Sequence, residues 1–279
     1  MKITNNSNLP RSLFDAICKV NAKYSKGNAD YSTTQLIDSP RISQLRKQHW
    51  DEIEEDAGDM IWRFYGSLSH EIIANMEHWN VLNEERMYTE LDGKVISGCP
   101  DLFDGTKVTD YKITFNAKGV KPEWEKQLNV YRYILCDNKW EPKELEIVAI
   151  LRGAVRDDPK VVVLPVAMWD MARAEAYLRE RIQKHIEAST TLPLCTEEER
   201  WYTERKFAVM KAGNKKATKV FGLKVEANLY MKVLQEKEKK VVYIEERPGE
   251  SKRCKMYCNC VSFCSQYQEM SKPLTKPGV

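Results

Sequence analysis

Two Asp-Gly pairs, Asp92-Gly93 and Asp104-Gly105, stand between short apolar runs and divide residues 86–113 into strand-like segments. A tight hairpin turn that matches the twist of paired strands needs positive φ at both central positions, and Asp-Gly accepts this at little cost. The segments RMYTEL, KVISGCPDLF and TKVTDYKI are therefore predicted to form a three-stranded antiparallel meander over about 86–113.

The surrounding sequence has helical and strand periods in alternation. From Arg41 to about Met76, apolar residues recur at helical spacing (Ile53, Met60, Ile61, Phe64, Leu68, Ile72), with Gly58 and Gly66 as breaks or close-packing points. Pro122 suits the first turn of a helix on which Trp124, Leu128, Tyr131 and Leu135 form one stripe. Two more strands, LEIVAIL (145–151) and KVVVLPV (160–166), precede a helix from about Met168 to Glu187. The order α-β-β-β-α-β-β-α predicts an α/β protein with a mixed central sheet flanked by helices. Residues 1–30 read as an irregular or helical arm, 31–190 as the core, 191–270 as a C-terminal extension and 271–279 as a tail. Within the extension, 197–240 is dense in Lys, Arg and Glu, and Val241–Glu245 reads as a short strand.

The meander has a chemical reading. With Asp104 and Gly105 as the turn, Asp101 pairs with Val108, and Asp110 and Lys112 follow on the same face, because residues two apart on a strand point the same way. Two carboxylates and an ammonium group then share one surface. Such a pair can hold a hard divalent cation, Mg²⁺ or Mn²⁺, through oxygen. The cation polarises a phosphodiester and acidifies a water, and the lysine orients that water or stabilises developing charge. The Tyr111 side chain points to the opposite face, but its backbone carbonyl can reach an ion. Gly98 and Pro100, just before Asp101, indicate a bulge or a close approach. Gln127 and Tyr131, four apart on the following helix, share a face.

The segments GSLSH (66–70), GCPD (98–101), DYK (110–112) and QLNVY (127–131), in this order, resemble the PD-(D/E)XK nuclease superfamily. Within it they are similar to the RecB-like exonucleases, including the CRISPR-associated ones, and to nuclease-like proteins of phages and prophages. The resemblance spans 31–136 and implies a restriction-endonuclease-like core. It implies a Mg²⁺- or Mn²⁺-dependent deoxyribonuclease acting on DNA that is single-stranded or has free ends, in phage-type recombination, replication or repair, with a partner protein from such a pathway. Position by position, it assigns His70, Asp101 and Asp110 to the metal, Lys112 to catalysis, and Gln127 and Tyr131 to a Q-x₃-Y motif that positions DNA.

Four of the eight cysteines, Cys254, Cys258, Cys260 and Cys264, crowd into eleven residues, which in a cytosolic protein suggests metal ligation before disulfides. Many RecB-like exonucleases carry a C-terminal cysteine triad that binds a 4Fe–4S cluster with one N-terminal cysteine. This chain departs from that pattern: Ser39 stands where that cysteine is expected, and three residues rather than two separate Cys254 from Cys258. Cys254, Cys258 and Cys264 then need a fourth ligand, Cys195 or alternatively Cys260, around a 4Fe–4S cluster or Zn²⁺. Cys18, Cys99 and Cys136 read as ordinary thiols.

The net charge of +3 over 279 residues neither demands nor excludes nucleic acid, so local clusters matter more. Six basic residues between Arg205 and Lys219, interleaved with or next to Trp201, Tyr202, Phe207 and Phe221, form a candidate DNA-contact segment or, equally, a solvated face. Lys118 and Lys121 are better placed to meet a phosphate. No apolar run approaches membrane-spanning length, and the first twenty residues lack a secretory pattern, so a cytoplasmic protein with no membrane partner is expected. The rival function is a non-catalytic DNA-binding or accessory protein that keeps the fold. An iron–sulfur redox protein would leave Asp101, Asp110 and Lys112 unexplained.

Overall fold

Asp92 and Gly93 both adopt left-handed backbone, φ 51° and 67°, and close the first hairpin as the Asp-Gly pair predicts. The computed structural model describes residues 1–22, 25–74, 82–237 and 241–271. The chain folds as two units, Met1–Pro193 and Leu194–Val279.

The first unit contains β1 (Lys2–Thr4), α1 (Arg11–Ala22), β2 (Tyr31–Ser32), α2 (Thr33–Ile37), α3 (Pro40–Gln48), β3 (Glu54–Asp56) and α4 (Ile61–Ala74). It continues with β4 (Leu82–Asn83), β5 (Met87–Leu91), β6 (Lys94–Gly98), β7 (Leu102–Phe103), β8 (Lys107–Thr114) and α5 (Pro122–Asp137). It ends with β9 (Glu144–Leu151), β10 (Val161–Pro165) and α6 (Met171–Glu187). The main sheet has the order β10-β9-β8-β7-β4. Strands β8 and β9 run parallel, while β9–β10, β7–β8 and β4–β7 are antiparallel, so the sheet is mixed. The fold is α/β.

The meander is divided between two sheets. Strands β5 and β6 pair with each other and with β2, whereas β7 and β8 belong to the main sheet. The break falls at Gly98-Cys99-Pro100-Asp101, where Pro100 has no N–H to contribute to a ladder. The second turn also differs from a two-residue loop. Phe103 pairs with Val108 and Leu102 with Thr109, so residues 104–107 form a four-residue loop. Asp104 causes this: its Oδ1 accepts from Thr106 N (2.8 Å) and Lys107 N (2.7 Å), a side-chain turn that competes with the tighter one. The slip relative to the predicted pairing is two residues, so every side chain keeps its face.

Helix α5 covers the main sheet. Trp124, Leu128, Tyr131 and Leu135 are all buried, against Phe103, Val108, Leu145, Ile147 and Ala149. Burial of each large apolar side chain contributes about 1.5–3 kcal/mol. Gly98 lets this helix approach: a Cβ there would lie 2.7 Å from Ile134 Cδ1 and 3.0 Å from Tyr131 Cδ1.

The region 41–76 is two helices, α3 and α4, separated by β3, with Ile53 in the connection; positions 75 and 76 of the expected helix lie outside the described residues. Gly58 lies in the turn before α4, whereas Gly66 neither breaks α4 nor packs closely, since a Cβ there would meet nothing within 4 Å. Residues 1–30 are not an arm. β1 pairs in parallel with β3, and Ile17 of α1 is buried with Ala57 and Met60. The apolar spacing in RSLFDAICKV supplies the buried face of α1 that an arm would lack.

Helix α6 is tied to the end of α2 by Arg181, which donates from Nε to Leu36 O (2.7 Å) and from Nη2 to Asp38 O. α2 itself begins with a capping box: Ser32 Oγ accepts from Gln35 N, and Gln35 Oε1 accepts from Ser32 N. His185 is buried on α6 beside Tyr31. None of the described helices is long and apolar enough to cross a membrane.

The second unit contains β11 (Tyr202–Thr203), β12 (Lys206–Lys211), β13 (Lys219–Phe221), α7 (Lys224–Lys237), β14 (Val242–Arg247) and β15 (Glu250–Ser251). It ends with α8 (Lys252–Met256), a 3₁₀ turn (Val261–Phe263) and α9 (Ser265–Met270). Its core is the antiparallel sheet β13-β12-β14 with α7 packed on Phe207, Val209 and Val242. The expected strand at Val241–Glu245 is β14; the tail, 272–279 of the expected 271–279, lies outside the described residues.

Two predictions follow from this packing. Gly98→Ala forces Ile134 and Tyr131 to move in a dense core and should cost about 1–3 kcal/mol, read as a lower midpoint in urea with unchanged slope. Burial and the nearby Arg181 cation push the His185 imidazole down to about 4 from 6.5. The unfolded chain therefore binds an extra proton between those values, so stability is full above pH 6.5 and is lost as pH falls towards 4. Thermal melts across this window should show a loss on the order of 3 kcal/mol that His185→Leu reduces.

Candidate active site

Strand β8 alternates so that Val108 and Asp110 both face α5, and both are fully buried. A carboxylate in that position needs polar partners, and the helix and strand supply them. Gln127 Nε2 on α5 donates to Asp110 Oδ1 (3.2 Å) and to Tyr131 Oη (2.8 Å), while Gln127 Oε1 accepts from Lys112 Nζ (3.0 Å). Lys112 Nζ also lies 2.6 Å from Asp110 Oδ2. That oxygen is fully buried, and the Lys112 ammonium is the partner that faces it. Burial outweighs the nearby Lys112 cation and, with the Asp101 charge, raises the Asp110 carboxyl to about 6. The Tyr131 hydroxyl is likewise pushed up, by burial first and then by the Asp110 and Asp101 charges.

Asp101 follows the break at Pro100. Its Oδ2 accepts the backbone N–H of Tyr111 (2.7 Å), which locks the carboxylate to β8. Tyr111 thus brings its N–H to the site, a role separate from the ion contact expected of its carbonyl. Asp101 Oδ1 lies 3.0 Å from His70 Nδ1 on α4. Glu84 Oε1 lies 3.6 Å from the same nitrogen. Hydrogen bonds to Asp101 and Glu84 raise the His70 imidazole to about 10, so it is a cation here at neutral pH.

Among the described residues one group of side chains gathers ligand atoms closely enough for a metal ion: His70, Glu84 and Asp101, all within 4.8 Å of one another. His70 and Asp101 of the expected ligands are in this group, and Glu84 is a residue the sequence reading does not name. Glu84 completes the tight group, and Asp110 stands beside it, turned to Lys112. Sequence periodicity misses Glu84 because it belongs to no strand face. It sits in left-handed backbone, φ 48°, after the two-residue strand β4, and its amide donates to Asp101 O (3.2 Å). Only the long-range pairing of β4 with β7 carries it to Asp101. The donor set of imidazole nitrogen and carboxylate oxygens fits a divalent cation such as Mg²⁺ or Mn²⁺. The buried Asp110 carboxylate, ion-paired to Lys112, is a further oxygen donor of the same kind. A cavity of about 490 Å³ opens onto His70, Glu84 and Asp101, with Arg86, Cys99 and Tyr131 in its wall.

The candidate ligand cysteines, Cys195, Cys254, Cys258, Cys260 and Cys264, occupy the second unit. Gln266 clamps Cys195 by a reciprocal pair, Cys195 N to Gln266 Oε1 (2.8 Å) and Gln266 Nε2 to Cys195 O (2.9 Å). This sets Cys195 against α9, which Cys264 immediately precedes. Cys258 Sγ and Cys260 Sγ lie 3.5 Å apart, and Cys195, Cys260 and Cys264 are buried. Burial raises the Cys254 thiol, and Cys258 and Cys264 add to the shift. No disulfide joins these cysteines, and no three of them form a group with all thiols within 4.8 Å of one another.

In the basic segment, Phe207 is a core residue, Arg205 pairs with Glu246 (3.0 Å), and Lys219 lies over Phe221 and Tyr230. In the first unit, Lys118 is exposed and Lys121 Nζ lies 4.7 Å from the Trp124 ring centre.

No protein-family profile matches the sequence, and no curated protein matches it. Among solved structures, the chain is similar to the protein SSO0001, with a TM-score of 0.41 and 18% identity over 61% of this chain and 83% of that one. It is also similar to a candidate exonuclease from Eubacterium rectale, with a TM-score of 0.33 and 16% identity over 64% of this chain and 74% of that one.

Proposed function

We propose that this protein is a metal-dependent DNA nuclease with a PD-(D/E)XK core of the RecB-like branch, acting on DNA ends. The observation that carries the reading is the fully buried Asp110 carboxylate with Lys112 and Gln127 on one side and the His70–Glu84–Asp101 group on the other. Folding alone does not call for this arrangement, because burying charge costs several kcal/mol even when it is paired. A raised Asp110 carboxyl together with a raised His70 imidazole that lines an open cavity is typical of sites that do chemistry. A protein that only binds DNA has no use for such carboxylates facing a polyanion, which weighs against the accessory-protein reading.

His70, Glu84, Asp101 and Asp110 would hold the cation, which when bound supplies Lewis acidity to the phosphodiester and lowers the pKa of a water. Lys112 is positioned to donate to that water or to a phosphate oxygen as charge grows on it. Gln127 fixes the Lys112 ammonium and the Asp110 carboxylate through one amide, and Tyr131 fixes the amide. The reaction adds the water oxygen to phosphorus and breaks the bond to the leaving sugar oxygen, which takes up a proton. The second unit would carry a structural Zn²⁺ or 4Fe–4S group on Cys254, Cys258, Cys264 and either Cys195 or Cys260. Zinc, iron and acid-labile sulfide analysis of the purified protein distinguishes the two.

End-labelled DNA incubated with Mg²⁺ or Mn²⁺ should be degraded, and EDTA should abolish this. Asp110→Ala and Lys112→Ala should each lower the rate by at least about 100-fold, in line with loss of a charge-stabilising or proton-handling group. Glu84→Ala should weaken the cation requirement curve more than it lowers the rate at saturating metal. No cleavage by folded protein that still binds DNA would move the assignment to an accessory role. Cation binding should also release protons, since His70 must lose one to become a ligand. Apparent Mg²⁺ affinity should accordingly fall as pH is lowered, first because His70, raised to about 10, is protonated, and more steeply near 6 as Asp110 also gains a proton.

A further inference from the structure

Three exposed aromatic side chains lie on, or just beyond, the elements that carry the candidate site in the first unit. Trp62 and Tyr65 of α4 are 53% and 51% exposed, and Phe115, just beyond β8, is 61% exposed. Solvent exposure of this much aromatic surface in one place is unfavourable unless something covers it. Trp62 and Tyr65 rings lie 5.8 Å apart. The Arg152 guanidinium stacks 3.8 Å from the Trp62 ring centre and 5.8 Å from that of Phe115, joining the two elements. Arg152 has no carboxylate partner among the described residues, so it offers a positive charge as well as a flat surface. Gly153 lets the Phe115 backbone come close: a Cβ there would lie 2.5 Å from Phe115 O and 3.0 Å from its ring.

The platform is carried by the same elements as the site, α4 with His70 and the end of β8 with Lys112. Trp62, Gly66 and His70 are spaced i, i+4, i+8 and form one ridge of α4. Trp62 is thus about 12 Å along the helix from His70. Phe115 is about 10 Å along the chain from Lys112. Gly66, between Trp62 and His70, has open space where a Cβ would be, so the ridge is bare along the way. A glycine inside a helix costs about 1 kcal/mol relative to alanine, and no packing constraint here calls for it. Close approach of a ligand backbone would use it.

We propose that Trp62, Phe115 and Arg152 form a stacking platform for unpaired bases of a DNA single strand whose backbone runs over Gly66 to the site at His70. This rests on the nuclease reading and names its substrate as single-stranded at the point of entry. The chemistry matches: every base has a π-face for an aromatic ring, and the unpaired Arg152 and exposed Lys118 suit the phosphates. A duplex keeps its base faces stacked on each other and cannot use the platform. At the ~3.4 Å rise of one stacked strand, the separation corresponds to about three nucleotides.

The test is fluorescence anisotropy with a labelled oligothymidine in EDTA, which prevents hydrolysis, beside a blunt duplex and a strand of abasic sites of equal length. Trp62→Ala and Phe115→Ala should each weaken single-strand binding roughly 5- to 150-fold, as loss of one stacked base predicts. Duplex binding should change by less than about twofold. Trp62→Phe should keep most of the affinity, and the effect of Trp62→Ala should vanish on the abasic strand. Unchanged single-strand affinity in variants that melt like the wild type would overturn the platform, as would an equal loss on the abasic strand. If the wild type cleaves DNA while the alanine variants bind single strands normally, the platform falls and the nuclease stands. If the wild type neither cleaves nor binds either form of DNA, both fall.

Discussion

The structure of the first unit is organised around a carboxylate removed from water. Asp110 lies in the middle of a parallel strand pair and under a helix, where an ionised group loses most of its hydration. The compensation must come from neighbours already held by packing. Lys112 is supplied by the same strand two residues on, and Gln127 by the same helix face that buries Trp124, Leu128 and Tyr131. The polar network therefore costs no separate scaffold: the apolar stripe that docks α5 on the sheet also aims the amide. Changes in how α5 seats would be felt at Asp110 before they were felt at the surface.

A second level of support comes from backbone groups. Asp101 has no strand of its own at its position, yet the Tyr111 amide fixes it, and Asp101 in turn orients His70. The imidazolium in this arrangement answers the negative charge of Asp101 and Glu84, which a bound cation would otherwise answer. Proton and metal are thus alternatives for the same pair of carboxylates.

Asp110, Lys112, Gln127 and Tyr131 were legible in the sequence because two short-range rules locate them: alternation along a strand and a four-residue step along a helix. The mixed α/β order was legible for the same reason. The rest depended on pairings between distant segments. Nothing local says that Pro100 sends the two halves of KVISGCPDLF to different sheets, or that Lys2–Thr4 finds Glu54–Asp56 and turns a supposed arm into part of the fold. Glu84 is the clearest case. Its role follows from a left-handed turn and a two-residue strand, neither of which has a period. The reciprocal Gln266–Cys195 pairing, across 71 residues, is similarly invisible until the chain is folded.

The four-residue loop at 104–107 has a consequence for how such a site tolerates change in chain length. The observed pairing differs from the tightest one by two residues, and Asp110 and Lys112 still face α5. Loop length and strand phase are therefore separate matters. On its other side β8 is held by eight residues of parallel pairing with β9, so residues added to or removed from the loop are taken up by the loop itself. Only a one-residue slip of β8 against both neighbours would send Asp110 and Lys112 to the far side of the sheet and Tyr111 towards the helix. The hairpin can drift in length across related chains while the phase of β8 stays fixed.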